Sequence, residues 1–335
     1  MTDKQINRWL RRKFSGIGWI LVAYYVLMNA MAMLTMLLDS LKQLLQGAAS
    51  PDMDVILGNG TGYLMTIALG ALLLTAWKGT DYWKREIFVR EKSMGPGIFA
   101  CFLCFCAGAQ MLNSLWITLL ELVMNSMGAS LLPLLDSVAG ASDTFSMFLY
   151  ASILAPVAEE VLFRGYVLRS LRPYGKRFAI VGSAVLFGMF HGNLLQTPYA
   201  VTMGLVLGYL AVEYSIFWSI LLHMFNNLVL ADMLTRLTAQ WSDMAYGILN
   251  LILFGGGFLL SLMILIRNRQ KIRDYQKSEW MDRRVLKCFF GNPGVLTLLI
   301  IALPVIESVG ILQKGSISAV SGSGINTISL FSTTA

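Results

Sequence analysis

Long apolar stretches separated by short polar connections dominate the chain. Nine candidate membrane spans, of which the fifth and sixth are short, lie near residues 16–38, 55–77, 98–125, 144–168, 178–193, 197–212, 216–235, 245–266 and 294–312. A helix needs about 20 apolar residues to cross a bilayer. Only 13% of the residues are charged, whereas soluble proteins carry about 25%. We therefore predict an all-α fold, a polytopic helical membrane protein with about eight to nine transmembrane helices.

The basic residues predict the orientation of these helices. With the N-terminus in the cytoplasm, the cytoplasmic segments carry 22 Lys and Arg residues, and the opposite side carries only Lys42, Arg236 and Lys314. The positive-inside rule requires such an asymmetry. Because the basic residues lie in connections between spans, we expect a lipid bilayer as partner and no nucleic acid. The first apolar stretch is longer than that of a cleavable signal, so we expect a multi-pass protein of the cell membrane with a cytoplasmic N-terminus.

Three segments follow from this layout. Residues 1–143 contain about three N-terminal membrane helices, residues 144–235 contain the ionisable residues described next, and residues 236–335 contain the C-terminal membrane helices. The basic stretch 267–293 is predicted to be a cytoplasmic loop or interfacial helix that faces anionic lipid. The tail 315–335 is rich in Ser, Gly and Thr, which predicts a flexible segment.

Two adjacent acidic residues, Glu159 and Glu160, lie inside the fourth apolar stretch. Ionisable groups are costly in the bilayer, so they mark a functional site by default. Arg164 is four residues after Glu160 and therefore shares its helix face, which predicts an ion pair. Glu159 points about 100° away from that face and is expected to lack this partner. Its carboxylate is therefore a candidate general base.

The two histidines of the chain lie in later apolar stretches. His191 follows Phe187 by four residues, and Gly192 and Asn193 predict that its helix ends there. His223 and Asn227 are also four residues apart, so one helix face presents an imidazole and an amide that can donate hydrogen bonds to an oxyanion. Glu159, His191 and His223 could equally ligate zinc, with water completing the shell.

Each of these features has a structural alternative. A histidine on an apolar face is often only a hydrogen-bonded core residue, and a Glu–Arg pair is often a packing contact. The coincidence of both histidines and the double acid on three spans, each with a companion at helical spacing, favours a functional site.

These motifs resemble those of the CPBP family of CaaX proteases and bacteriocin-processing enzymes, also called the Abi family. The family is marked by EExxxR, FxxxH and HxxxN motifs on successive membrane helices, and here they stand as Glu159-Glu160-x-x-x-Arg164, Phe187-x-x-x-His191 and His223-x-x-x-Asn227. The resemblance covers residues 144–235, which would form the catalytic membrane core.

The resemblance implies an intramembrane endopeptidase that hydrolyses a peptide bond. Glu159 would activate the attacking water with help from His191, and His223 and Asn227 would stabilise the oxyanion. The supporting residues would be Glu160 and Arg164, which hold the first helix in place, together with Phe187. The family is often labelled metalloprotease, but two histidines are few for a metal site, so we favour a glutamate-type mechanism without a cofactor and keep zinc as the alternative.

Family members act on prenylated proteins in eukaryotes and are associated with peptide maturation and bacteriocin immunity in bacteria. The compact single unit of this chain resembles the bacterial members. We therefore expect a peptide or membrane-associated protein substrate that is not prenylated. The sequence does not indicate an oligomeric state.

Two other functions fit the same residues. A transporter or proton-coupled carrier would use buried Glu, His and Arg side chains as a proton relay, although the two related halves common in such carriers are not visible. An inactive immunity or sensor scaffold would keep the fold without the reaction.

Overall fold

The computed structural model describes residues 2–87, 92–131, 144–278 and 282–301. These residues form helices and no strand, so the predicted all-α fold is confirmed. A short helix, Thr80–Tyr82, and a π-helical turn, Trp83–Ile87, also occur. The main helices are α1 (Asp3–Leu45), α2 (Met53–Lys78, interrupted at residues 58–60), α3 (Pro96–Ser126), α4 (Phe145–Tyr174), α5 (Lys176–Phe190), α6 (Thr197–Glu213), α7 (Ile216–Thr238), α8 (Asp243–Arg267), α9 (Arg269–Ser278), α10 (Arg283–Phe290) and α11 (Pro293–Ile301).

Six helices in the described part of the chain are long and apolar enough to cross a membrane: α1, α2, α3, α4, α7 and α8. The pair α10 and α11 makes a seventh span if the two helices, which are bent by 58°, count as one. The predicted count of eight to nine is not confirmed. The difference lies in α5 and α6, which have 15 and 17 residues and are shorter than the length that spans a bilayer. The chain is a multi-pass membrane protein.

The first helix is longer than its apolar stretch. It begins at Asp3 because Thr2 and Gln5 form a capping box, in which each side chain bonds the backbone N–H of the other residue. Its 43 residues therefore extend beyond the predicted span 16–38 at both ends. The predicted last span, 294–312, is described only as far as Ile301, and the predicted flexible tail 315–335 lies outside the described residues.

The basic stretch 267–293 is mostly helical rather than a plain loop. The helix α9 is largely exposed, in agreement with an interfacial position. By contrast, α10 buries Val285, Cys288 and Phe289. These residues follow one another at helical spacing and form one apolar face, which packs against α1. The apolar face of α10 therefore contacts protein, and the cytoplasmic or interfacial position of the stretch stays a prediction.

Two apolar clusters flank the central helices. The larger one joins α1, α4, α5, α10 and α11 around seven buried aromatic rings: Phe14, Phe163, Tyr166, Phe178, Phe187, Phe190 and Phe289. The second cluster joins α3 to α6 and α7. The larger cluster includes residues from all three predicted segments. The division of the chain at residues 143 and 235 remains a prediction.

Small residues bring α5 and α6 unusually close together. A Cβ atom added at Gly188 would lie 2.3 Å from Cγ2 of Val201 and 2.9 Å from the carbonyl oxygen of Thr197. A Cβ atom added at Gly204 would lie 2.8 Å from Cα of Ala184. Such small-residue contacts are a common way to pack membrane helices. They hold the short helix that ends at His191 firmly against its neighbour.

Candidate active site

One cavity collects the polar motif residues of three helices. It measures about 180 Å³ and is lined by Glu159 of α4, Phe187 and His191 at the end of α5, and His223 and Asn227 of α7. Glu160 and Arg164 lie behind its wall and are completely buried. The structure therefore brings together all four predicted catalytic residues and places the three predicted supporting residues beside them. The chemical roles of these residues remain predictions.

Glu160 forms the buried electrostatic centre behind the cavity. Its Oε1 lies 3.0 Å from Nη1 of Arg164, and neither side chain is exposed. The hydroxyl of Ser219 donates to Oε2 of Glu160. Nη2 of Arg164 also donates to the carbonyl oxygen of Gly204 at 3.4 Å. The predicted pairing of Glu160 with Arg164 is thus present, and it ties α4 to both α6 and α7.

His223 lies between the two glutamates. Its Nδ1 is 3.0 Å from Oε1 of Glu160, and its Nε2 is 3.7 Å from Oε2 of Glu159. An ionised carboxylate only accepts hydrogen bonds, so the contact with Glu160 places a proton on Nδ1. Glu159 makes no ion pair with Arg164, as expected, but its carboxylate has another neighbour, because α7 brings the imidazole of His223 against it.

His191 is held in the same tautomer by a different acceptor. Its Nδ1 lies 2.9 Å from the carbonyl oxygen of Phe187, which can only accept, so Nδ1 carries the proton. The helix ends here as predicted, because Gly192 adopts the left-handed conformation with φ of 66°. The second ring nitrogen, Nε2, is left for the cavity in both histidines.

The ring of Phe187 contacts three of the charged or titratable groups. It meets the rings of His191 and His223 edge to face, with centroid distances of 4.9 and 5.8 Å. The guanidinium carbon of Arg164 lies 4.4 Å from its centroid, within range of a cation–π contact. Phe187 thus holds His191, four residues later, by two contacts, through its carbonyl oxygen and through its ring.

A chain of amides and hydroxyls forms the opposite wall. Nδ2 of Asn227 donates to the carbonyl oxygen of Ala151 at 3.0 Å, and Oδ1 of Asn227 accepts from Asn226. The hydroxyl of Tyr199 donates to Oδ1 of Asn226 at 2.7 Å and accepts from Gln110 at 2.9 Å. One N–H of Asn227 is used for Ala151, and the amide has a second N–H to offer a ligand.

Wide π-helical turns occur beside each of the motif residues on α4 and α7. They cover Leu149–Leu154, Val161–Leu168 and Asn226–Met233. A π-helical turn shifts the backbone hydrogen bonds by one residue and often marks a functional site. Ala151 lies in the first of these turns, and its carbonyl oxygen is the acceptor for Asn227. The irregular backbone thus helps to orient the polar side chains.

The positions of Glu159, His191 and His223 bear on the alternative zinc site. Among the described residues, no group of three or more His, Cys, Asp or Glu side chains is arranged so that it could hold a metal ion. Glu159, His191 and His223 line the same cavity but do not form such a group. Two of them, Glu159 and His223, instead lie beside each other.

The motifs did not identify seven polar residues that line the cavity or bond the residues around it. These residues are Gln110, Asn113, Tyr150, Gln196, Tyr199, Ser219 and Asn226. The signal was present, because Gln110 and Asn113 are polar residues inside the third apolar stretch, and Ser219 precedes His223 by one helical turn. Their contacts cross between helices that are far apart in sequence, so spacing alone does not reveal them.

Comparison with known proteins agrees with the motifs. Residues 141–229 match the family model described as Type II CAAX prenyl endopeptidase Rce1-like. This match covers less than half of the chain but includes every motif residue. No curated protein and no solved structure matches the chain. The resemblance to the CPBP family of intramembrane proteases is therefore confirmed for residues 141–229.

Proposed function

We propose that the protein is an intramembrane endopeptidase of the CPBP type. The observation that supports this most strongly is the convergence of Glu159, His191, His223 and Asn227 on one cavity between helices. This set contains a carboxylate that can accept a proton, two imidazoles and an amide donor. These are the groups that hydrolysis of a peptide bond requires.

Glu159 acts first in the proposed mechanism. Its carboxylate takes a proton from a water molecule, whose second hydrogen bond is accepted by Nε2 of His191. The resulting hydroxide attacks the carbonyl carbon of the substrate. Glu159 then passes the proton to the leaving nitrogen as the C–N bond breaks, which gives a free amine and a carboxylic acid that ionises on release.

His223 and Asn227 stabilise the negative oxygen of the tetrahedral intermediate. Asn227 offers the N–H that is not bonded to Ala151. His223 has its Nδ1 proton committed to Glu160, so it donates from Nε2 only as an imidazolium. Removing a single donor of this kind from an oxyanion site lowers kcat about 100- to 1,000-fold.

The supporting residues position these groups, Glu160 and Arg164 from behind the wall of the cavity and Phe187 from the wall itself. Arg164 and Ser219 fix the carboxylate of Glu160, which in turn fixes the tautomer of His223. Phe187 fixes His191 in the same way through its carbonyl oxygen. Such partners orient reactive side chains within the narrow limits that catalysis needs.

We favour a reaction without a bound metal. This preference is supported by the described residues, among which no group of three or more His, Cys, Asp or Glu side chains is arranged to hold a metal ion. Treatment with a chelator is expected to leave cleavage unchanged. Loss of activity that zinc alone restores would favour the metalloprotease alternative.

For the substrate we propose a peptide or membrane-associated protein without a prenyl group. We place the enzyme in the cell membrane with its N-terminus in the cytoplasm. The name of the matching family refers to prenyl endopeptidases, so matched peptides with and without a prenylated cysteine separate the two substrate classes. The distribution of basic residues supports the orientation.

The decisive experiment is hydrolysis in water enriched in ¹⁸O by the purified full-length protein in bilayers. Candidate substrates are peptides and membrane proteins from the host, and cleavage is followed by mass spectrometry. We expect one ¹⁸O atom in the new carboxylate. Glu159→Gln should abolish cleavage while folding and insertion into bilayers remain normal.

Glu213→Gln is the matched control, because Glu213 pairs with Lys176 and Tyr275 away from the cavity. Equal activity of Glu159→Gln and wild type would refute the mechanism. Solute transport by the cleavage-deficient variant would instead favour the transporter. An unchanged cellular phenotype for Glu159→Gln would favour the inactive scaffold.

A further inference from the structure

A second and larger cavity lies on the other side of α4. It measures about 590 Å³ and is enclosed by α1, α2 and the face of α4 that carries Val157, Ala158 and Val161. No residue lines both this cavity and the one that contains Glu159. Its volume falls within the range of small-molecule sites, about 300–1,000 Å³. The two cavities are therefore separate sites divided by one helix.

The walls of the large cavity are aliphatic and aromatic, and no charged side chain lines it. Small residues on two helices create the space, among them Ala23 on α1 and Gly70 and Ala71 on α2. A Cβ atom added at Gly70 would lie only 2.7 Å from the ring of Tyr24, so glycine allows this ring to rest on α2. A water molecule finds no hydrogen-bond partners in such an apolar space. A hydrocarbon chain would instead make dispersion contacts with the walls.

The large cavity opens toward the surface that faces lipid. Leu73 and Trp77 both line it and are each 56% exposed. In a membrane span, exposed side chains of this kind contact acyl chains rather than water. The chains of neighbouring lipids therefore have direct access to the cavity.

An ammonium group stands at the aromatic end of the opening. Nζ of Lys78 lies 4.3 Å from the ring centroid of Trp77 and 5.9 Å from that of Tyr166, and both rings line the cavity. Trp83 lines the same end. Tryptophan and tyrosine are enriched at the level of lipid head groups. No ion pair to Lys78 is present among the side chains that the structure describes.

We propose that this cavity binds an anionic membrane phospholipid, with one acyl chain inside it and the phosphate on Lys78. The apolar walls select the chain, the lateral opening admits it, and the ammonium group selects the head group. Basic residues beside clefts between membrane helices recognise anionic lipids in this way. The proposal concerns a site separate from Glu159 and does not depend on the peptidase reaction.

Native mass spectrometry of the purified full-length protein tests this proposal. The protein is delipidated and titrated with phosphatidylglycerol or phosphatidylcholine that carry the same acyl chains. One lysine near the head groups should make the anionic lipid bind about fivefold more tightly. Lys78→Gln should remove this preference. Lys84→Gln is the matched control, because Lys84 is exposed and follows the same helix, whereas the ammonium group over the rings of Trp77 and Tyr166 is that of Lys78.

Filling the cavity gives a second and independent test. Ala71→Phe from α2 and Ala23→Phe from α1 should each lower the occupancy of both lipids several-fold, and either variant serves if the other does not fold. Equal binding of the two lipids to the wild-type protein would overturn the choice of ligand. Equal losses in Lys78→Gln and Lys84→Gln, or full occupancy in a folded cavity-filling variant, would overturn the site.

Discussion

Glu160 and Arg164 offer a quantitative test of the site, because their buried ion pair can be removed from either side or as a whole. Neither side chain is exposed. Removing one partner of such a pair costs about 3–5 kcal/mol, since the other charge is left buried and uncompensated. We expect Glu160→Leu and Arg164→Met each to lower the free energy of unfolding by this amount.

The double variant should lose far less stability than the two single variants lose together. Independent effects would add to about 6–10 kcal/mol. With both charges gone, Ser219 can donate to the carbonyl oxygen of Leu207, 3.1 Å from its hydroxyl oxygen. Nδ1 of His223 is then the one donor that loses its acceptor, which costs about 1–3 kcal/mol. We therefore expect a total loss of about 1–3 kcal/mol.

Stability and activity should separate in this double variant. Its free energy of unfolding in mixed detergent micelles should fall by only about 1–3 kcal/mol, but peptide cleavage should be lost because His223 has no partner that fixes its tautomer. Arg164→Met keeps that contact and should retain more activity than the double variant. Additive losses of stability, or cleavage by the double variant, would refute this account of Glu160.

Two further substitutions test the packing and the amide wall. Gly188→Leu should destabilise the protein by more than about 1–3 kcal/mol and abolish cleavage, because the new side chain would collide with Val201. The control is Gly256→Leu, which places the same side chain in open space. Thermal unfolding and activity are measured for both variants. Asn227→Ala should lower kcat about 100-fold or more with a smaller change in KM. Asn268→Ala removes a similar hydrogen bond to a helix carbonyl elsewhere and should leave kcat and KM unchanged. An equal effect of the two substitutions would contradict a role of Asn227 in the reaction.

The sequence predicted most of the site because charge is rare in apolar stretches. Glu159, His191 and His223 stand out because an ionisable side chain is costly to place in the bilayer. Helical spacing also pairs Glu160 with Arg164 correctly. The ion pair, the end of α5 at Gly192 and the all-α fold were all accessible from local pattern alone.

Contacts between distant helices were not accessible in this way. Spacing does not reveal that His223 touches both glutamates, or that Tyr199 bonds Asn226, because these contacts depend on how α6 and α7 pack. The length of α1 and the packing of α10 against it were also missed. In α1 the capping residues outside the apolar stretch set the start, and in α10 the apolar face is hidden among basic residues.

The tautomers of the two imidazoles have a consequence for how protons move through the chamber. Each ring is anchored at one nitrogen by an acceptor, which is the carbonyl oxygen of Phe187 for His191 and, for His223, the carboxylate of Glu160, whose charge Arg164 compensates. Protonation and release are thus confined to the other nitrogen, on the substrate side of both rings. Protons are therefore exchanged only with groups inside the cavity. The buried carboxylate of Glu160 is a fixed counter-charge and takes no part in proton transfer.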